Sequence, residues 1–199
     1  AMRQALNSGE PTTSAQIAAL GKNYALRMND YGLAGASTII DKTPTNALFA
    51  PLAFASLGAR IVHCRRDVLD TCWSLYTTWF GEGTAWSYDF DAIARVYARY
   101  EKAVARWADK TGDAVMDVHY ETMVKEPQAT SAALFAHCGL DWRPDVLDFH
   151  ERPKTVVTPS MSQVRRPVNT SSVRRLAPYL PMLEPLIAAL KREGVRVDV

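Results

Sequence analysis

Two arginines lie between a short apolar run and a segment with helical character. The apolar run ends at Cys64, the arginines are Arg65 and Arg66, and a helix is predicted to begin near Asp67. Ser74 lies two turns into that helix and returns to the face of the strand-end turn, where it and Arg66 can grip one phosphate. Backbone N–H groups at a helix start and a guanidinium both favour an anion. The alternative is an arginine paired with a nearby aspartate, together with an ordinary helix serine.

Two further polar positions follow apolar runs in the same way. Lys42 lies in the turn Asp41–Asn46, where its ammonium can act as a mobile point charge. Tyr120 follows the run Ala114–Val118, where its ring can stack on a base or its hydroxyl can donate. A solvated lysine and a half-buried aromatic residue are the alternatives. Arg65 is a weaker candidate than its neighbour, because consecutive residues at a strand end diverge.

Strand-like and helical segments alternate along the chain, which is typical of an α/β fold with a parallel β-sheet flanked by helices. The predicted strands are Thr38–Ile40, Arg60–Cys64 and Ala114–Val118. Because ligands bind at the carboxyl ends of such strands, we expect Lys42, Arg66 and Tyr120 to share one rim. His63, inside the second strand, is predicted to be a hydrogen-bonded core residue, and His119 is predicted to lie nearer the cleft.

Helices are predicted from apolar residues at helical spacing and from their capping residues. The first begins at Thr13 or Ser14 and ends at Gly32. Later helices are predicted over about residues 47–57, 67–78, 89–110, 127–139 and 180–190. Residues 150–172 have no clear periodicity and are predicted to form a long basic loop. Loops of that length are usually functional or mobile.

The composition restricts function only weakly. The 199 residues carry a formal net charge of +2, which is too small to indicate a nucleic-acid or membrane-surface partner by itself. The three cysteines form no CxxC and no metal-ligand spacing with histidine, which favours reduced thiols and a cytoplasmic location. No apolar run in the sequence is long enough to span a membrane. We therefore expect a cytoplasmic domain that needs no metal.

Four motifs in order resemble those of PAPS-dependent sulfotransferases. They are Asp41–Asn46, Ile61–Asp67 with Ser74, Val118–Glu121 and Ser160–Asn169. The most similar branch is the bacterial sulfotransferase domain that is often fused to tetratricopeptide repeats, a relative of tyrosylprotein sulfotransferase. The resemblance implies a P-loop-NTPase-like sulfotransferase fold. It also implies transfer of a sulfuryl group from PAPS, the cosubstrate, to a hydroxyl or amine, with PAP as the product.

The resemblance assigns a role to each matching residue. Arg66 and Ser74 match the pair that binds the 3′-phosphate of PAPS. Lys42 matches the lysine near the sulfuryl group and the leaving phosphate, and Tyr120 matches a tyrosine beside the nucleotide. The residues that match the late nucleotide-covering loop and its surroundings are Ser160, Arg165 and Arg175. The acceptor implied by the family is a sugar, a peptide, a lipid or a small molecule.

The glycine-rich family motif G-x-P-R-S-G-T-T, which cradles the 5′-phosphosulfate, is absent from the sequence, and Glu10 is the sole carboxylate upstream of Gln16. We therefore expect residues 1–199 to be a single sulfotransferase-like domain truncated at its N-terminus. Residues 1–15 are expected to be a flexible start, and the fragment is expected to be inactive. The alternative is a non-catalytic nucleotide-binding or protein-interaction module on the same fold. A missing strand leaves a sheet edge unpaired, which favours a homo-oligomer.

Overall fold

The computed structural model describes residues 12–81, 83–151 and 166–198. These residues form two compact units. The first contains the described residues up to Ile61 together with Ala103–Val115, and the second contains those from Val62 to Lys102 and from Met116 onward. Within the described ranges, no helix is both long enough and apolar enough to cross a membrane. Residues 1–11 of the predicted flexible start lie outside these ranges.

Helices make up most of the regular structure. They are α1 (Ser14–Asp30), α2 (Ala50–Leu57), α3 (Val68–Thr77), α4 (Phe90–Ala105), α5 (Ala108–Thr111), α6 (Tyr120–Lys125), α7 (Pro127–His137) and α8 (Glu184–Arg192). Short 3₁₀ helices cover Pro44–Leu48, Ala85–Tyr88, Gly112–Ala114, Pro144–Glu151 and Ala177–Met182. The strands of the described chain are β1 (Ile61–Arg65) and β2 (Val115–His119).

The two strands pair in parallel and form a small sheet. A parallel pair needs a long crossover connection, and α3, α4 and α5 lie in the chain between β1 and β2. Both strands begin and end one residue later than the sequence predicts. The described chain is therefore a helix-rich α/β arrangement, as the alternation of segments indicates.

The predicted strand Thr38–Ile40 is wrong for this structure. These residues have no regular secondary structure, and the sheet of the described chain contains β1 and β2 alone. Ile39 is 40% exposed and Ile40 is 86% exposed. β-branched residues favour a strand only when a neighbouring strand accepts their backbone hydrogen bonds and covers their side chains. No described strand does so here, and the three-stranded sheet is reduced to two.

The predicted helix 89–110 is divided into two. After α4 ends, the N–H groups of Arg106 and Trp107 donate to carbonyls three residues back, at 3.2 and 2.8 Å. This tighter turn ends the regular α-helix and accompanies the burial of Trp107, which is 4% exposed. The other predicted helices agree with α1, α2, α3, α7 and α8 to within a few residues.

The core of the second unit joins α3, α4 and α8. Leu69, Ile93 and Leu190 are completely or almost completely buried there, and Leu176 joins them from the segment before α8. Cys72 is fully buried in the same cluster. Burial, with a smaller contribution from the Asp67 charge, raises the pKa of the Cys72 thiol to about 12. This cysteine is therefore a small apolar core residue and not a nucleophile.

The first unit depends on a close approach of α1 and α2. Thr13 and Gln16 form a capping box at the start of α1, and Gly58, in the left-handed conformation, ends α2. Gly21 is buried in α1, and a Cβ built on it lies 2.1 Å from the carbonyl oxygen of Ser56. Only glycine therefore fits at this helix crossing.

We predict that Gly21→Ala destabilises the first unit. The added methyl meets a backbone oxygen, so the helices must separate, and overpacking of this kind costs about 1–3 kcal/mol. This cost exceeds the roughly 1 kcal/mol that alanine gains over glycine in a helix. Thermal unfolding should show a lower midpoint than in the unmutated protein. Ala18→Ser, which adds one atom to an exposed position of α1, is the control, and an unchanged midpoint in Gly21→Ala contradicts the prediction.

Candidate functional site

Two of the predicted site residues meet at the carboxyl edge of the sheet. Arg66 follows β1, and Tyr120 follows β2 as the first residue of α6. The guanidinium carbon of Arg66 lies 5.1 Å from the centre of the Tyr120 ring. This distance is typical of a cation–π contact. The parallel pairing of the strands thus brings together side chains that are 54 residues apart in the sequence.

Arg66 is held by three different partners. Besides the Tyr120 ring, its Nη2 donates to the backbone carbonyl of Ser172 at 2.7 Å and lies 3.6 Å from a carboxylate oxygen of Asp70. Its Nε is buried and has no hydrogen-bond partner among the described residues. A guanidinium has five N–H donors, so several remain for an anion after these contacts. The geometry therefore gives an oriented cation with unused donor capacity.

The start of α3 is capped by the chain itself. The Asp67 carboxylate accepts the N–H of Asp70 at 2.8 Å, and the Asp67 N–H donates to the carboxylate of Glu121 at 2.9 Å. The anion expected at this helix start is therefore already supplied by an aspartate side chain. This cap satisfies one N–H group of the helix start and places a negative charge beside Arg66. The bond to Glu121 also ties the turn after β1 to α6.

Ser74 is half-buried in α3. It follows Asp70 by four residues, so the two side chains lie on the same face of α3, whereas Arg66 precedes the helix. The Ser74 hydroxyl makes no hydrogen bond to any described residue. The helical position thus agrees with the predicted spacing, while the shared phosphate stays a prediction.

Lys42 lies in the first unit, in a turn organised by its neighbour Asp41. The Asp41 carboxylate accepts from Asn46 Nδ2 at 3.0 Å and from the Tyr24 hydroxyl at 2.9 Å. The bonds from Asn46 and Tyr24 hold the pKa of Asp41 below its usual value. Lys42 itself is exposed and pairs with no described residue. Its ammonium is therefore a solvated charge on a turn that is locally well defined.

The remaining predicted residues belong to the late part of the chain. Arg175 is exposed and lies two residues before the 3₁₀ helix that begins at Ala177. Its neighbour Arg174 has a φ of 52°, and it is the one residue other than glycine with positive φ in the described chain. Ser160 and Arg165 lie outside the described residues, as does most of the predicted loop 150–172.

A cleft of about 650 Å³ opens at the same edge of the sheet. Its basic lining residues are Arg65, Arg66, Lys102 and Arg196, and its acidic ones are Asp67, Glu101, Glu121, Glu193 and Asp198. His119 also lines it, as the sequence predicts. Carboxylates outnumber the permanent cations, so most of the cleft disfavours a polyanion. Arg66 contributes a cation to this cleft beside the acidic residues Asp67 and Glu121.

A buried polar network was missed by sequence reasoning. His63 is 6% exposed, its Nδ1 lies 2.6 Å from the Asp117 carboxylate, and its Nε2 contacts the Tyr100 hydroxyl. Because a carboxylate only accepts, Nδ1 carries the proton in neutral His63 and Nε2 accepts from Tyr100. The prediction that His63 is a hydrogen-bonded core residue is confirmed. His63 and Asp117 are each the third residue of their strands, so the strand pairing brings them together.

Asp117 is also bonded to Arg65, whose Nη1 donates to its second oxygen at 3.4 Å. Partial burial raises the pKa of Asp117, but the hydrogen bonds and charges of His63 and Arg65 together lower it further, so the net pKa lies below the ordinary value. Burial, with a smaller contribution from Glu101, raises the pKa of the Tyr100 hydroxyl, which therefore stays protonated. The network holds β1, β2 and α4 together close to the site.

Comparison with known proteins gives the class. The Sulfotransferase family matches the chain over residues 6–144, which is more than half of its length. The chain is also 27% identical over 162 residues to an uncharacterized protein of Aquifex aeolicus (strain VF5). That alignment covers 79% of the chain and 21% of the relative, so the chain spans about a fifth of the relative's length. The family match contains β1, α3 and β2, and the chain belongs to the sulfotransferase family.

We predict that Asp117→Asn makes the protein less stable near neutral pH and has little effect in acid. A carboxylate whose pKa is lowered by folding adds stability above its unfolded pKa, near about 4, and loses it as the pH falls through the folded value. The free energy of unfolding at about pH 7 should fall by about 1 kcal/mol, because the Asp117 side chain is 44% exposed and its charge is partly screened by water. Denaturant titrations at about pH 7 and about pH 2 measure it. Asp113→Asn is the exposed control. An equal difference at both pH values is inconsistent with this assignment.

Proposed function

We propose that the chain is the nucleotide-binding part of a sulfotransferase that uses PAPS as its donor. The proposal rests on the environment of Arg66. Its guanidinium is oriented by Tyr120, Asp70 and the Ser172 carbonyl, and its buried Nε has no hydrogen-bond partner among the described residues. A 3′-phosphate is an anion that can accept from such a fork in two places. Family membership supports sulfuryl transfer as the class of reaction.

Bound PAPS supplies an activated sulfuryl group, which passes to a hydroxyl or amine acceptor while PAP leaves. In the proposal, Arg66 and Ser74 hold the 3′-phosphate. Ser74 is half-buried, lies on the same face of α3 as Asp70, and its hydroxyl has no described partner, so it can donate to a phosphate oxygen. Tyr120 keeps the guanidinium in place through its ring and is the proposed neighbour of the nucleotide.

Lys42 is the proposed catalytic residue. Its solvated ammonium lies in a turn fixed by Asp41, and its charge can stabilise the negative charge that develops on the leaving phosphate. Arg175, Ser160 and Arg165 are proposed to cover the nucleotide. Transfer chemistry of this kind depends on positioning and charge stabilisation, so the proposal needs no metal. The described residues hold no cluster of metal-ligating side chains.

We predict that the protein binds adenosine 3′,5′-bisphosphate more tightly than 5′-AMP, and that Arg66→Ala removes most of this preference. The lost charged hydrogen bonds are worth about 1.5–3 kcal/mol, or roughly tenfold to a hundredfold in the ratio of dissociation constants. Titration calorimetry with both nucleotides measures the ratio. Arg192→Ala, at an exposed ion pair of α8, is the matched control. Equal affinities in the unmutated protein, or an undiminished ratio in Arg66→Ala, would falsify the proposed phosphate site.

We predict that Lys42→Ala in the full-length protein lowers kcat and leaves nucleotide affinity nearly unchanged. Loss of one group that stabilises transition-state charge costs about a hundredfold in rate. PAPS-dependent transfer to an acceptor panel gives kcat, and calorimetry with adenosine 3′,5′-bisphosphate gives affinity. Lys22→Ala, at an exposed lysine of α1, is the control. If Lys42→Ala weakens nucleotide binding and leaves kcat intact, Lys42 holds the nucleotide and takes no part in the chemical step.

A further inference from the structure

Asp70 is a buried carboxylate whose partners come from distant parts of the chain. It is 2% exposed, in the first turn of α3. Its Oδ2 accepts the backbone N–H of Arg174 at 2.8 Å, and its Oδ1 accepts that of Leu176 at 3.4 Å. Arg66 Nη2 lies 3.6 Å from the same Oδ2. A buried carboxylate is costly unless it is paired and hydrogen-bonded, and these three donors satisfy it.

The segment that Asp70 holds is strained. Arg174 adopts a φ of 52°, in the left-handed region that side chains with a Cβ disfavour. The N–H of this strained residue is the one that donates to Asp70 at 2.8 Å. Leu176 fixes the other end of the turn, because it is 5% exposed and belongs to the apolar core of the second unit. Arg175 lies between these two anchored residues.

The Asp70 carboxylate contacts both Arg66 and the turn formed by residues 172–176. The turn also contacts Arg66 directly, through the Ser172 carbonyl. The guanidinium and residues 172–176 are thus joined twice, once by a backbone carbonyl and once by a buried carboxylate. A carboxylate is suited to this position, because it accepts several hydrogen bonds and brings no donor of its own. An asparagine has one acceptor oxygen and would place an N–H₂ group among three donors.

We infer that Asp70 is a positioning residue, which fixes Arg66 and the turn of residues 172–176 in one arrangement and so sets the direction in which the Arg66 guanidinium meets a phosphate-bearing ligand. The inference rests on the proposed function, in which Arg66 holds the 3′-phosphate. Asp70 itself need not touch the nucleotide. It acts through the two elements that its carboxylate joins. Its substitution should change the preference of the protein for a 3′-phosphate and the rate at which the turn of residues 172–176 opens.

The first test measures the turn without any nucleotide. In Asp70→Asn, amide hydrogen exchange at Arg174 and Leu176 should be about tenfold faster, because both N–H groups lose a charged acceptor. Asp91→Asn makes the same chemical change at the exposed ion pair with Arg192 and should leave the two amides unaffected. Circular dichroism establishes that both variants are folded. Unchanged exchange at Arg174 and Leu176 in Asp70→Asn overturns the inference.

The second test measures the nucleotide site. The probes are adenosine 3′,5′-bisphosphate and 5′-AMP, and the readout is the ratio of their dissociation constants. Asp70→Asn should reduce this ratio by about tenfold and leave the affinity for 5′-AMP nearly unchanged. A purely structural defect lowers both affinities by the same factor, because it reduces only the competent fraction of the protein. A ratio that is unchanged or increased in folded Asp70→Asn rejects the positioning role.

Arg174→Gly supplies a rescue test and a second variant in case Asp70→Asn folds poorly. Glycine adopts positive φ without strain and keeps the N–H that Asp70 accepts. The double variant Asp70→Asn with Arg174→Gly should therefore have a higher melting temperature than Asp70→Asn. It should also regain part of the preference for adenosine 3′,5′-bisphosphate over 5′-AMP. Arg174→Gly alone is the reference for both quantities. No gain in either quantity shows that Asp70 does not support the strained turn.

The two proposals can fail separately. If the unmutated protein binds both nucleotides equally, the proposed 3′-phosphate site is wrong, and amide exchange alone then decides whether Asp70 fixes the turn. If the unmutated protein prefers the bisphosphate and Asp70→Asn retains that preference, the phosphate site stands and the role of Asp70 is rejected.

Discussion

The parallel pairing of β1 with β2 is the constraint on which the second unit depends. Side chains that follow the two strands reach one edge only because both strands run in the same direction. Arg66 meets Tyr120 there, and the Asp67 N–H meets Glu121. Within the pair, His63 and Asp117 occupy equivalent positions and bond across it. The same backbone ladder therefore supports a buried network inside the sheet and an oriented cation at its edge.

Sequence reasoning succeeded where the information is local. β1 and β2 are predicted to within one residue, because each is a nearly continuous apolar run, and α3 is predicted because Asp67 is a strong N-cap. Thr38–Ile40 has an equally β-like composition, yet a strand also requires a partner, and composition alone does not show whether one is available. The division of α4 from α5 is likewise a matter of tertiary packing, since Trp107 is buried at the break.

The site was predictable only in part, for a related reason. Arg66 and Ser74 are separated by eight residues, so the short turn after β1 and the first two turns of α3 relate them. Asp70 lies between them and looks like an ordinary acidic residue in the first turn of a helix, because its backbone partners are 104 and 106 residues further along the chain. His63 shows an intermediate case. Its burial follows from the apolar run, whereas its bond to Asp117 depends on strand register, which a single sequence specifies weakly.

The Nε of Arg66, which has no hydrogen-bond partner in the described part of the chain, links the site to the folding free energy. A buried N–H without an acceptor costs a folded protein about 1–3 kcal/mol, which is a noticeable part of the 5–15 kcal/mol that keeps a typical domain folded. An anion that accepts this N–H removes the penalty in the native state and cannot do so in the unfolded chain. An anion bound at this nitrogen would therefore raise the free energy of unfolding of the second unit as well as occupy the proposed site, because only the native state offers the N–H group in this position.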